Sequence, residues 1–258
     1  MISYEFDQNY ETVFKNIKDS FPLVNYMDEI VYHQTKFILK SILNLSTKHA
    51  SKLKLLDIGC GPMEKTAIFS NFGMQCYAAD DLSDPWHREG NNLNKIINFS
   101  SQNDIKFHLQ KKSDYSIPFD KGSFDVVMAI EVIEHLHASP RSFIEIAKQY
   151  LRPGGLLVLT TPNSVNLRKR ISVFFGKTNY PNIKDFYSSG DNWRGHVREY
   201  TLDELEWCVK QSDLDIVLKD SYEPFAHKKL SGLWKKIYIT LGNLNKHFRS
   251  GLVVIGKR

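Results

Sequence analysis

Two short stretches of this 258-residue chain carry side chains whose types and spacing could do chemistry. The first is Leu55-Leu56-Asp57-Ile58-Gly59-Cys60-Gly61-Pro62, an apolar strand that breaks into a glycine turn and runs on into a helical pattern (Lys65, Ala67, Ile68, Phe69). Such a turn lets a ligand lie against the backbone at a helix N-terminus, where amide donors are unpaired. A dinucleotide fingerprint would need a third glycine where Glu64 stands, and a carboxylate there repels a pyrophosphate. The turn therefore favours a ligand without phosphates. The second stretch is Glu131-Val132-Ile133-Glu134-His135, whose two carboxylates and imidazole fall three and four residues apart and would share one face of a helical turn. Such a set can hold a divalent cation or move a proton.

The elements that must position these residues are legible from the pattern. Residues 75–79 read as a short apolar strand ending on Asp80 and Asp81. A carboxylate at the tip of the second strand of a parallel sheet can accept hydrogen bonds from both hydroxyls of a ribose. Together with the glycine turn, it implies an adenosine-type ligand with an uncharged or positive linker. A third strand (105–109) precedes Ile117-Pro118-Phe119-Asp120-Lys121-Gly122-Ser123-Phe124-Asp125-Val126-Val127, and Leu151-Arg152-Pro153-Gly154-Gly155 leads into a strand at 156–160. Strand and helix alternate from Lys52 onward, the signature of a doubly wound parallel α/β sheet.

The series LLDIGCG, an acidic second-strand end, IPFDKGSFDVV, EVIEHL and LRPGGLLVLTTPN resembles the class I S-adenosylmethionine-dependent methyltransferases over roughly residues 52–163. The segment GHVREYTLDEL (195–205) resembles one found in small-molecule and glycan O-methyltransferases of that superfamily. The resemblance implies a Rossmann-like, mostly parallel seven-stranded sheet with S-adenosyl-L-methionine as cofactor. It places Asp57, Gly59 and Gly61 against the methionine moiety, Asp80 or its neighbour Asp81 at the ribose, and Ser113 or Asp114 at the adenine. Ile130, at the end of the fourth strand, joins the cofactor-binding set. Similar E-x-x-E-H stretches bind a divalent metal in ubiquinone-pathway O-methyltransferases and small-RNA 2′-O-methyltransferases. The RNA branch has a further histidine after the TPN segment, and His196 matches it here. Glu131, Glu134, His135 and His196 are thus the metal candidates, and His135 and His196 the catalytic ones.

Composition sets the frame. Apolar residues at 42% can fill a sizeable core, and the net charge of +5 is too modest to imply nucleic acid. Cys60, Cys76 and Cys208 show no metal spacing or paired framework, and no basic-then-apolar N-terminal segment is visible; a cytoplasmic enzyme is expected. Four regions are expected: an N-terminal helical cap (1–51), a cofactor-binding core (52–161), an acceptor-side insertion (162–200) and a C-terminal completion of the sheet (201–258). In the cap, a helical pattern covers 25–45; these helices either pack on the sheet or, as the resemblance implies, cover the cofactor as a lid with Tyr4, Phe6, Tyr10 and Phe14 along its underside. The insertion mixes aromatic and basic residues, and Tyr187, Trp193, Arg194 and Arg198 are its acceptor-binding candidates. The last helix places Leu230, Leu233, Ile237, Leu241, Leu244 and Phe248 on helical steps among lysines, a pattern compatible with peripheral membrane contact. The expected activity is O-methylation of a small polar acceptor such as a sugar, nucleotide-linked sugar or glycan precursor. An RNA 2′-O-methyltransferase and a non-catalytic cofactor-binding subunit are the alternatives.

Overall fold

Runs of Val, Ile, Leu and Ala bounded by glycine, proline and polar turns become strands here, and amphipathic segments between them become helices. The computed structural model describes residues 2–111, 116–190, 193–223 and 232–258. Helices α1 (Ile2–Ser20) and α2 (Glu29–Leu45) lead into β1 (Lys54–Ile58), α3 (Glu64–Asn71), β2 (Gln75–Asp80), α4 (Pro85–Arg88), α5 (Asn92–Gln102) and β3 (Lys106–Leu109). Then follow β4 (Phe124–Ile130), α6 (Pro140–Tyr150), β5 (Leu151–Pro162), α7 (Leu167–Phe174), α8 (Ile183–Ser188), α9 (Leu202–Lys210), β6 (Asp215–Tyr222), α10 (Gly232–Leu244) and β7 (Gly251–Lys257). The seven strands form one sheet in the order β3-β2-β1-β4-β5-β7-β6. β1 pairs in parallel with β2 and β4, β2 in parallel with β3, and β6 antiparallel with β7. This is the seven-stranded, mostly parallel α/β sheet expected from the sequence.

The chain divides into two compact units, Met1–Met128 with Ile146–Leu157 and Arg258, and Ala129–Glu145 with Val158–Lys257. In the first unit, Leu55, Leu56, Ala78, Ala79, Val127 and Met128 are fully buried, as expected for strands covered on both faces. The aromatic row of α1 belongs to this core. Tyr10 is fully buried, its ring meets Tyr32 of α2 edge-on and Phe72 after α3, and its hydroxyl donates to the Tyr32 carbonyl at 2.9 Å. Phe14 packs edge-on against Tyr32, and Phe6 against Tyr10 and Phe72. These rings join α1 to α2 and α3; the Tyr4 side chain lies outside the description. At the start of β4, buried Asp125 accepts from Lys48 Nζ (2.6 Å), the Lys54 amide (2.9 Å) and Arg152 Nε (2.5 Å).

In the second unit, Leu252–Ile255 of β7 are fully buried. α9 starts on a capping box: Thr201 Oγ1 accepts from the Glu204 amide, and the Glu204 carboxylate accepts from the Thr201 amide at 2.8 Å. The final helix is shorter than expected. It stops at Leu244 because Asn245 is extended (φ −141°, ψ 112°), and the Asn245 side chain caps a separate 3₁₀ turn at Lys246–Phe248. Leu230 lies outside the described residues.

Candidate active site

The glycine turn occupies the carboxyl end of β1 in the first unit. Gly59 (φ 75°) and Gly61 (φ 56°) both sit in the left-handed region, which glycine enters without a Cβ penalty. A Cβ on Gly61 would meet nothing within 4 Å, so the face above it is open. The Gly59 amide donates to the Ala79 carbonyl (2.8 Å) and the Gly61 amide to Asp80 Oδ2 (2.8 Å), which pins the turn to β2. Asp80 Oδ1 accepts from the Leu82 amide at 2.6 Å. Each carboxylate oxygen has further lone-pair capacity, so two ribose hydroxyls can still be accommodated. Burial raises the Asp80 carboxyl, and the Gly61 and Leu82 amides work against it. Asp81 caps its own turn, accepting from the Ser83 amide at 2.9 Å.

Two buried carboxylates beside this turn are only half satisfied. Asp57 Oδ2 accepts from Thr66 Oγ1 at 2.6 Å, while Oδ1 has no hydrogen-bond partner among the described residues. Glu64, the first residue of α3, pairs through Oε1 with Lys65 at 2.8 Å, and its Oε2 is likewise unmatched. Burial lifts the Asp57 carboxyl to about 7; Thr66 and Lys65 oppose the shift, and Glu64 and Asp80 add to it. Unmatched buried acceptors favour a ligand that brings a cationic amine and disfavour phosphate. S-adenosylmethionine, with an ammonium and a sulfonium, fits. Burial and the same three carboxylates push the Cys60 thiol up, so it is a neutral small residue at pH 7 and no nucleophile. Ile130 is buried at the end of β4. Ser113 and Asp114 lie outside the described residues.

The second cluster lies wholly in the second unit, and it forms differently from the helical turn expected. Glu131 adopts φ 58°, which breaks a right-handed helix, and only Ile133–His135 make a 3₁₀ turn. The Glu131 carboxylate therefore diverges from its neighbours: Oε1 accepts from Thr160 Oγ1 (3.0 Å) and the Tyr222 hydroxyl (3.3 Å). Glu134, His135 and His196 come together instead, with one ligand atom from each within 4.8 Å of the others. The two imidazole rings meet edge-on at 4.9 Å between centroids. Thr161 Oγ1 donates to Glu134 Oε2 at 3.1 Å, and Glu134 Oε1 lies 3.8 Å from His135 Nε2.

Hydrogen bonds select the tautomers. His135 Nδ1 is 2.9 Å from the Arg194 carbonyl, which can only accept, so Nδ1 carries the proton and Nε2 a lone pair. His196 Nδ1 donates to Glu199 Oε1 at 2.8 Å, again leaving Nε2 as the basic nitrogen. Burial, His135 and Lys169 push His196 down to about 4, and the ring is neutral at pH 7. An imidazole whose Nδ1–H is held by a carbonyl or carboxylate is the usual arrangement of a metal-binding histidine. A divalent ion therefore fits Glu134, His135 and His196, while Glu131 supports β5 through Thr160.

Glu199, Thr161 and Lys169 were not among the candidates from sequence. Lys169 forms an ion pair with Glu199 Oε2. Burial, with the Arg168 charge beside it, pushes Lys169 down to about 8. The His196-x-x-Glu199 spacing was the available signal for Glu199.

The insertion's candidates separate into two groups. Trp193 lies against the Gly195 backbone, its indole N–H donates to the His196 carbonyl at 3.2 Å, and its own carbonyl is 3.2 Å from His137 Nε2. Arg194 supplies the carbonyl that holds His135, and the Val197 amide donates to the Glu134 carbonyl at 2.7 Å. These residues tie the histidine loops together. Arg198 pairs with Glu204 at 2.9 Å and lies over the Tyr200 ring, so it braces the start of α9. Tyr187 stands apart, 85% exposed on α8.

Residues 30–219 match a family model described as a methyltransferase domain. The mitochondrial ubiquinone biosynthesis O-methyltransferase of Rattus norvegicus is 28% identical over 77% of this chain and 55% of its own length. The ubiquinone biosynthesis O-methyltransferase of Rickettsia akari is 27% identical over 50% of this chain and 47% of its own length. The chain spans about half the length of these curated relatives. A SAM-dependent methyltransferase from Aquifex aeolicus superposes with a TM-score of 0.53 at 13% identity, covering 95% of this chain and 97% of that one. Phosphoethanolamine N-methyltransferase 2 of Haemonchus contortus, solved with S-adenosyl-L-methionine, gives 0.55 at 16% identity, covering 87% of this chain and 52% of that one. Such distant structures share the fold alone, but the family match spans most of the chain, which belongs to the methyltransferase-domain family, the class I S-adenosylmethionine-dependent methyltransferases.

Proposed function

We propose that this chain transfers a methyl group from S-adenosylmethionine to a hydroxyl oxygen of a small polar acceptor. The observation that carries this reading is the gathering of Glu134, His135 and His196 with both Nε2 lone pairs available. The cofactor supplies an electrophilic methyl on a sulfonium. The acceptor oxygen attacks that carbon in line as the carbon–sulfur bond breaks, leaving S-adenosylhomocysteine, a methyl ether and one proton. A hydroxyl is too weakly acidic to react unaided at neutral pH, so the proton needs a destination or the oxygen a cation beside it. A neutral His135 or His196 can take the proton at Nε2. A divalent ion held by Glu134, His135 and His196 would instead lower the acceptor's pKa, and its two nitrogen ligands favour manganese, cobalt or zinc over magnesium. Asp57 and Glu64 would hold the ammonium end of the cofactor, and Asp80 the ribose.

The relatives named O-methyltransferases support oxygen as the nucleophile. A saccharide or nucleotide-linked sugar is our first acceptor class, resting on the likeness of residues 195–205 to a segment of small-molecule and glycan O-methyltransferases. The relatives' names make a ubiquinone precursor the rival. The test is S-adenosylhomocysteine release on presenting saccharides, nucleotide sugars, hydroxylated quinone precursors and short RNA in turn, before and after chelation. Release with an amine acceptor and with no hydroxyl acceptor would overturn the reading. Turnover surviving rigorous chelation would assign the histidines as base, and loss restored by manganese or cobalt would assign them as ligands.

A further inference from the structure

The second unit carries an apolar surface that its core leaves uncovered. No residue of α7 or α8 is buried. Phe174 (84% exposed), Phe175 (71%) and Ile183 (69%) stand in solvent there with Ile171, Val173, Tyr180, Phe186 and Tyr187. A monomeric protein rarely exposes so many large apolar side chains within one segment of chain without a use for them. α10 adds exposed Leu233 and Leu244. α10 adjoins α7: Arg168 acts electrostatically on Tyr238, and the Arg170 guanidinium lies 5.7 Å from the Phe248 ring just beyond α10.

The charges around these side chains are one-sided. Between 166 and 190 there are five Lys or Arg residues and one acid, Asp185; between 232 and 249 there are four and none. Of the first set Lys169 is turned inward, to Glu199, and Arg170 Nε donates to the Val165 carbonyl at 2.6 Å while the other cations stand exposed. We propose that α7, α8 and α10 form a peripheral docking face for an anionic lipid surface. Apolar side chains enter the headgroup boundary while Arg168, Arg170, Lys177, Lys184, Lys235 and Lys236 meet lipid phosphates. No described helix is long and apolar enough to cross a membrane, so the contact is interfacial. A second copy is a poorer occupant, because a symmetric contact would set this basic face against itself. Nucleic acid would leave Ile171, Val173, Ile183 and Leu233 without an apolar partner. The proposal is independent of the acceptor's identity.

The test is co-sedimentation of the full chain with phosphatidylcholine vesicles and with vesicles that also contain phosphatidylglycerol. Binding is expected to the second kind, weakening with salt. It should fall about tenfold in Phe174→Ser/Phe175→Ser, and similarly in Lys177→Glu/Lys184→Glu, with S-adenosylhomocysteine affinity unchanged as the check on folding. No sedimentation with anionic vesicles, equal binding to both kinds, or indifference to both double variants would overturn the proposal. A dimer in light scattering that the phenylalanine variant dissolves would hand the face to a second copy.

Discussion

Glu199 accepts the Nδ1 proton of His196 at 2.8 Å and carries Lys169 on its other carboxylate oxygen. This bond decides which ring nitrogen His196 presents beside Glu134 and His135. Glu199 is therefore a positioning residue. Glu199→Ala should lower the affinity for cobalt or manganese by 10–100-fold on the usual scale for outer partners, and Glu199→Gln, which keeps an accepting oxygen, should recover part of it. Metal titration by calorimetry or by the cobalt absorption bands reads this without turnover. Unchanged affinity in the alanine variant would remove Glu199 from the site.

Asp57 is expected to make cofactor binding pH-dependent. Its carboxyl, raised to about 7 by burial, is partly protonated at neutral pH. An ammonium at Oδ1 favours the anion, so binding below that pKa releases a proton, and affinity rises as pH climbs from about 6 to 8. Calorimetry of S-adenosylhomocysteine in buffers of different ionisation heat measures the proton directly. Asp57→Asn should flatten the dependence; a flat profile in the unaltered protein would contradict the assignment.

Asp80 holds the Gly61 and Leu82 amides and is placed for the ribose. Asp80→Ala should weaken S-adenosylhomocysteine by about 1–3 kcal/mol, the scale for hydrogen bonds to a charged group. Equal loss for a ligand lacking the ribose hydroxyls would mean the effect came from the turn alone.

Gly195 has no room for a side chain: an ideal Cβ would fall 2.2 Å from the Trp193 ring. Gly195→Ala should displace the indole from the His196 carbonyl and cut metal affinity and turnover together, with S-adenosylhomocysteine binding within about twofold, an RT ln 2 near 0.4 kcal/mol. Retained metal affinity would show that Trp193 does not hold the histidine loop.

Asp125 governs acid stability of the first unit. Despite its burial, Lys48, the Lys54 amide and Arg152 depress its carboxyl below the ordinary range. A depressed carboxyl stabilises the fold above its unfolded-state pKa, and that contribution is lost as pH falls through the folded value. Asp125→Asn should cost on the order of 1–2 kcal/mol near neutrality, with a smaller difference in acid, since it removes charge-assisted bonds to two cations that are themselves partly exposed. Denaturant melts across pH check this.

The strand-turn-helix around Gly59 and Gly61, the acid ending β2 and the alternation of β and α were legible because each is local. Period, turn chemistry and charge at an element's end are all encoded within about ten residues of one another. What only the tertiary structure decided is which side chains meet. Glu131, Glu134 and His135 share a helical spacing on paper, yet a left-handed φ at Glu131 sends its carboxylate to Thr160 and Tyr222. His196 lies 61 positions beyond His135 and reaches it only because the Val197 and Arg198 amides bond the Glu134 carbonyl. Trp193 looks like an acceptor contact by type and is a brace by position. Residue type and spacing specify what chemistry a side chain can do; the long-range backbone hydrogen bonds that aim it follow from the whole fold.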